Sequence, residues 1–181
     1  FSQLSMGTFD DVSAISKIAV NTHLAGAAGT VTGAVVPRLI GGKTDIIMML
    51  NVSLAGLVAI TAEPLTPTPG LAIVIGSIGA LIMYFGTKML ENFGIDDVVG
   101  AIPVHMFSGI FGTLVVPLSN SDTSFGTQFV GTLSVCVFSF VFSYLVFLAL
   151  KRTVGLRISK AAEKLGTDKS EIGVTAYSIR D

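Results

Sequence analysis

A single imidazole stands in a run that offers almost nothing else polar. In IDDVVGAIPVHMFSGIFGTL, residues 95–114, His105 is the only titratable ring, and two carboxylates, Asp96 and Asp97, open the stretch. A neutral imidazole presents one hydrogen-bond donor and one acceptor, so it can hold a small polar molecule or pass a proton. Helical steps of three and four residues from His105 reach Ala101, Ile102, Ser108 and Gly109, and one further turn reaches Gly112. The ring is therefore expected to share its face with a thin strip of mostly small side chains. Asp96 and Asp97 are expected to cap the start of this helix, where a carboxylate accepts orphan N–H groups and meets the positive end of the dipole. Pro103, two residues before the histidine, removes a backbone donor and invites a kink. Packing is the ordinary explanation of a lone histidine on an apolar helix. A functional one stands beside it, because a polar ring in such a setting needs a partner or a use.

Other chemistries find little footing. Serine hydrolysis would need a supported nucleophile and its histidine; Ser108 lies in FSG, lacks the G-x-S-x-G elbow and is too close to His105 in sequence. Cys136 is the only cysteine, so there is no disulfide framework and no cysteine metal site, and no other ligand cluster takes its place. An enzyme is not expected, nor is any cofactor. The net charge of -1, without a basic stripe, excludes nucleic-acid binding.

The elements that must position the ring can be read from composition. Hydrophobic residues make up 51% of the 181 residues and charged ones 13%, where a soluble domain carries about a quarter. The charges cluster and leave long spans free, the pattern of an all-α, polytopic membrane helix bundle. Five spans are expected, at about 18–37, 46–62, 71–89, 97–117 and 125–150, within a membrane domain of residues 1–152. Residues 153–181 form a soluble tail. The chain opens on FSQLSMGTFDD, without the basic n-region of a signal peptide, and further chain upstream is expected.

Polar residues in the spans have mostly packing roles. Gly29 with Gly33, and Gly76 with Gly79, are expected at close helix contacts, and His23 and Asn51 at packing or interhelical hydrogen bonds. EPLTPTPG, residues 63–70, is a stiff loop. In the tail, Ser159 to Leu165 reads as a short helix closed by Gly166, with Thr167 or Asp168 opening another turn.

Arg38, Lys43, Lys88 and the basic tail all fall on one side of a five-span chain. The loops 63–70 and 118–124 contain no Lys or Arg and fall on the other, and only Lys17 breaks the pattern. The positive-inside rule then makes the tail cytoplasmic.

Several motifs occur in one order: NTHLAGAAG at 21–29, LNVSLAGLVAITA at 50–62, the His105 stretch, and VGLR followed by E…LG…D…E-x-G…AY in the tail. Together, over nearly the whole chain, they resemble the second half of the ammonium transporter family (Amt/Mep/Rh). The resemblance implies a fold of two inverted five-helix halves plus an extra C-terminal helix, assembled as a homotrimer in the plasma membrane, the inner membrane in bacteria. It implies a narrow pore in each subunit lined by two facing histidines, of which His105 matches the second, with Ala101, Ser108 and Gly109 beside it. Ser2 matches a serine that binds ammonium at the outer mouth. Gly155, Arg157, Gly166, Asp168, Gly173 and Tyr177 match the cytoplasmic segment through which P-II-type proteins and neighbouring subunits control the pore. The function implied is ammonium transport with deprotonation before ammonia passes, or, alternatively, ammonium sensing through the tail. Three positions depart from the family pattern: Met106 stands where glycine is usual, Gly100 where aspartate is frequent, and Ile172 where histidine is common. The first five helices, and the partner histidine with them, are not in this sequence.

Overall fold

In a computed structural model, which describes residues 9–43 and 45–175, the chain is helical throughout with no strand among the described residues. Two compact units divide it, Phe1–Ser134 and Val135–Asp181.

The first unit is built on α1 (Phe9–Leu39), α2 (Ile46–Ile60) and α3 (Pro69–Asn92). α1 starts nine residues ahead of the expected span at 18, with Asp10 and Asp11 in its first turn where they favour the positive dipole end. It also runs past Pro37 to Leu39. α2 starts at the cap provided by Asp45, whose Oδ1 accepts from Ile47 N at 2.9 Å. It ends at Ile60, two residues before the expected limit, in a turn at 61–62. α3 starts with Thr68 accepting from Leu71 N and Pro69 in the first turn, where a missing N–H leaves nothing unsatisfied.

These three helices pack against one another through small residues. Ala25 on α1 is fully buried, and its carbonyl oxygen is what a side chain would meet at both Gly56 on α2 and Gly76 on α3. Gly29 and Gly33 likewise abut Val52. Above this contact the stiff 63–70 loop is pinned from inside. Asn21, fully buried, donates from Nδ2 to the carbonyls of Pro64 and Pro67, each at 2.9 Å. Glu63 accepts from Leu65 N and Thr66 N and, through Oε2, from Asn120 Nδ2 at 3.2 Å, so the 63–70 and 118–124 loops are joined.

The fourth apolar stretch lies on the other side of α2 and α3. It runs as a wide turn, Ile102–Phe107, straight into α4 (Ser108–Leu114) and a short tight turn, Val116–Leu118. α2 and α3 both touch it, whereas α1 does not. Val104, 2% exposed, packs there with Val52, Ala55, Ala80, Met83 and Tyr84.

α5 (Phe125–Thr153) crosses the division between the units and buries none of its residues. Phe138 stacks on Phe142 and Phe140 on Tyr144, at centroid separations of 5.9 and 6.3 Å. By length and composition α3 and α5 are each able to cross a membrane, while Ile46–Ile60 and Ile102–Leu118 are apolar but shorter. In the tail, α6 (Lys160–Leu165) is capped by Ser159 Oγ, which accepts from Ala162 N, and a second turn comes after it at Asp168–Ile172.

Candidate functional site: the His105 face

Residues 95–100 set up the helix that carries the histidine. Ordinary α spacing would start it at Asp97, yet it starts at Ala101, because Gly100 holds φ at +72° and breaks the run. Only glycine enters this left-handed region freely, and a Cβ there would also stand 2.9 Å from Asn51 Nδ2. The frequent aspartate of the resembled family therefore has no easy place in this backbone. Asn51, on α2, donates to Val99 O at 3.0 Å and holds the turn from the side.

Capping falls to one carboxylate. Asp97 Oδ1 accepts from Ala101 N at 2.9 Å and Oδ2 from Ile102 N at 2.8 Å, reaching across the glycine turn. Asp96, expected to share this role, instead is exposed and borders a hollow of about 150 Å³ with Thr87, Glu91, Asp97 and Pro103. Asp97→Ala is expected to lower stability by about 1 kcal/mol, read as a drop in the thermal midpoint of the purified protein. An unchanged midpoint would remove the cap.

Pro103 makes no kink in mid-helix, because the late start places it in the first turn, where a missing donor is tolerated. The backbone then opens wider than an α-turn: Ser108 N–H is shared between His105 O, three residues back, and Pro103 O, five residues back. Such turns recur at functional sites. Here the turn carries His105.

The wide turn also divides the strip of small residues expected around the ring. Ala101 and His105 are exposed, Met106 beside the histidine is 50% exposed, and Gly109 is half-buried. Ser108 and Gly112 are buried against the other helices. Ser108 was expected on the histidine's face, but its Oγ lies 3.1 Å from Gly79 O on α3 and 3.1 Å from Pro103 O. Its hydroxyl is turned inward, and it is corrected to a structural contact. The cause is coverage: α2 and α3 enclose the side carrying Pro103, Val104 and Ser108. Among the described residues, the side carrying Ala101 and His105 is left open.

The other expected positions lie apart from this face. Ser2 and Tyr177 lie outside the described residues. His23 is exposed and donates from Nδ1 to Ala19 O at 2.7 Å, a bond within its own helix and not between helices. Gly155, Gly166 and Gly173 all stand at positive φ and turn the tail. Arg157 is exposed and reaches Glu163 at 4.0 Å, a surface pair that contributes little. Asp168 lies in the first turn of the second tail segment, and its carbonyl accepts from Val174 N. Asn51 and Gly79, which fix the His105 turn from two neighbouring helices, were not among the expected site residues. Asn51 gave a signal as a polar residue in an apolar span; a carbonyl acceptor such as that of Gly79 gives none.

Comparison with known proteins bears on what this face is. The description of the Ammonium Transporter Family matches residues 2–177. The chain is 37% identical over 184 aligned positions to a protein named ammonium transporter Amt2 from Archaeoglobus fulgidus, covering 90% of this chain and 39% of that one. Among solved structures it superposes on one described as a sensor Amt protein, with TM-score 0.82 and 30% identity, over 87% of this chain and 42% of that one. Mep2 from Candida albicans gives TM-score 0.74 at 26% identity, over 87% and 40% of the respective chains. The chain thus spans about two-fifths of the length of these relatives.

Proposed function

The chain belongs to the ammonium transporter family, and from that membership we propose that it supplies one wall of a pore through which ammonium nitrogen crosses the membrane. The observation that carries this is the placement of His105. Its helix is gripped on one side by α2 and α3, and the ring stands exposed on the other. In relatives more than twice as long there is chain enough to face it.

The chemistry is governed by solvation. Taking a bare ammonium ion through an apolar constriction costs several kcal/mol of lost hydration. Once the ion gives up its proton, ammonia is neutral and crosses readily. A neutral imidazole can accept from ammonia at one nitrogen and donate at the other, or relay the released proton. His105 has this role in the proposal, with Ala101 and Gly109 leaving room beside it and Ser2 at the outer mouth.

Placement in the plasma membrane, the inner membrane of a bacterium, with the tail in the cytoplasm, is supported by the one-sided distribution of Arg38, Lys43, Lys88 and the tail cations. Assembly as a homotrimer, and control by a P-II-type protein at the tail around Gly155, Arg157, Gly166, Asp168, Gly173 and Tyr177, extend the proposal by family membership. Ile172 stands exposed within that surface, so its contacts there are apolar.

A sensor of the same fold is the second possibility, favoured by the superposition on a structure described as a sensor Amt protein. Reconstitution separates the two. The protein as the cell makes it, placed in sealed vesicles with an inward ammonium gradient, is expected to raise internal nitrogen well above protein-free vesicles. Saturable binding without flux would establish a sensor and overturn transport.

A further inference from the structure

We propose that Ser108 is a positioning residue for His105, fastening the wide turn that carries the ring to a part of α3 that lies directly on α2. Ser108 is fully buried. Its Oγ is 3.1 Å from Gly79 O and 3.1 Å from Pro103 O, and its own N–H also reaches Pro103 O. One hydroxyl carries one hydrogen, so it donates to these carbonyls by turns or shares between them. Either way a single residue closes the turn from Pro103 to Ser108 and ties it to another helix.

This differs from the usual habit of hydroxyls in apolar helices. Thr30, Thr32, Thr87, Thr113 and Ser134 each bond the carbonyl four residues back on their own helix. Ser108 reaches five residues back and across to α3. The anchor it reaches is closely packed. A side chain at Gly79 would collide with Ala59 Cβ and Ala55 O, so α3 lies directly on α2 there, and Ala55 and Ala80 are fully buried around it.

The consequence for His105 is rotational. A five-residue turn holds one residue more than an α-turn, and relaxing it to α would swing the ring by roughly 100° relative to α4. Ser108 prevents this from inside, without touching the open face. The functional part of the proposal rests on His105 lining a pore; the positional part does not.

The test uses the protein as the cell makes it, with ring-nitrogen-labelled histidine and the His105 signals assigned by their loss in His105→Gln. Ser108→Ala is expected to shift the His105 ring signals and to lower the maximal rate of methylammonium uptake by about tenfold, with the half-saturating concentration unchanged. Ser108→Cys, of similar size and with a weak S–H donor, is expected to recover part of both, and it carries the test alone if the alanine variant does not assemble. Wild-type ring signals in whichever variant folds would overturn the proposal. Shifted ring signals in Ser108→Ala together with normal uptake in His105→Ala would uphold the positioning role and refute the pore instead.

Discussion

Replacing His105 by alanine is expected to lower ammonium-dependent flux by about a hundredfold while leaving the protein as stable as before. The two halves of that expectation come from different observations. His105 is exposed, and the residues that lock its turn, Pro103, Val104 and Ser108, are buried beside it and untouched by the change. In this reading the ring faces the pore and fills no core, so its removal is expected to shift stability by about 0.5 kcal/mol or less. A loss of flux at an unchanged thermal midpoint would then not be a loss of fold. The size of the effect reflects the removal of a group that binds ammonia or moves its proton. His105→Gln distinguishes these two roles, since the amide keeps a donor and an acceptor but does not take up a proton in this range. Flux preserved in the glutamine variant and lost in the alanine one would mean hydrogen bonding is what the site needs. Loss in both would point to proton relay. Wild-type flux in His105→Ala, measured in sealed vesicles, would take the ring out of the pore altogether.

The parts of this molecule that could be read from its sequence are those with short-range causes. Ser159 before the short tail helix and the small-residue pairs Gly29 with Gly33 and Gly76 with Gly79 act through neighbours or through simple bulk, and they announce themselves in the residue string. The cap at Thr68, by contrast, starts α3 two residues before the expected 71. The His105 turn has no such signature. The five-residue reach from Ser108 N to Pro103 O depends on an acceptor at Gly79, twenty-nine positions away in sequence. α spacing therefore put Ser108 on the wrong side. Gly100 hid a similar fact: a left-handed φ held under Asn51 delays the helix to Ala101 and moves Pro103 from mid-helix to its first turn. Asp96 and Asp97 looked equivalent as caps for the same reason, since only the bent backbone decides which carboxylate reaches the free N–H groups.

Gly76→Val is expected to be the most damaging single change for the fold, lowering stability by about 3 kcal/mol. The atoms that a Cβ at Gly76 would meet are Ala25 O, Cα and C, all backbone, so no side chain can rotate out of the way. α3 would have to retreat from α1, and Gly56 faces the same Ala25 carbonyl from α2, so the three helices would come apart together. Gly70→Val is the matched control, because nothing lies within 4 Å of the position its Cβ would take. A thermal midpoint that falls for Gly76→Val and not for Gly70→Val would establish the contact; equal midpoints would mean that α1 and α3 do not pack here. The change also reaches His105 indirectly. Gly79, one turn along α3 from Gly76, supplies the carbonyl that holds Ser108, so flux is expected to fall in step with stability in Gly76→Val. In His105→Ala flux falls alone, and that contrast separates a residue that does the chemistry from one that holds the wall in place.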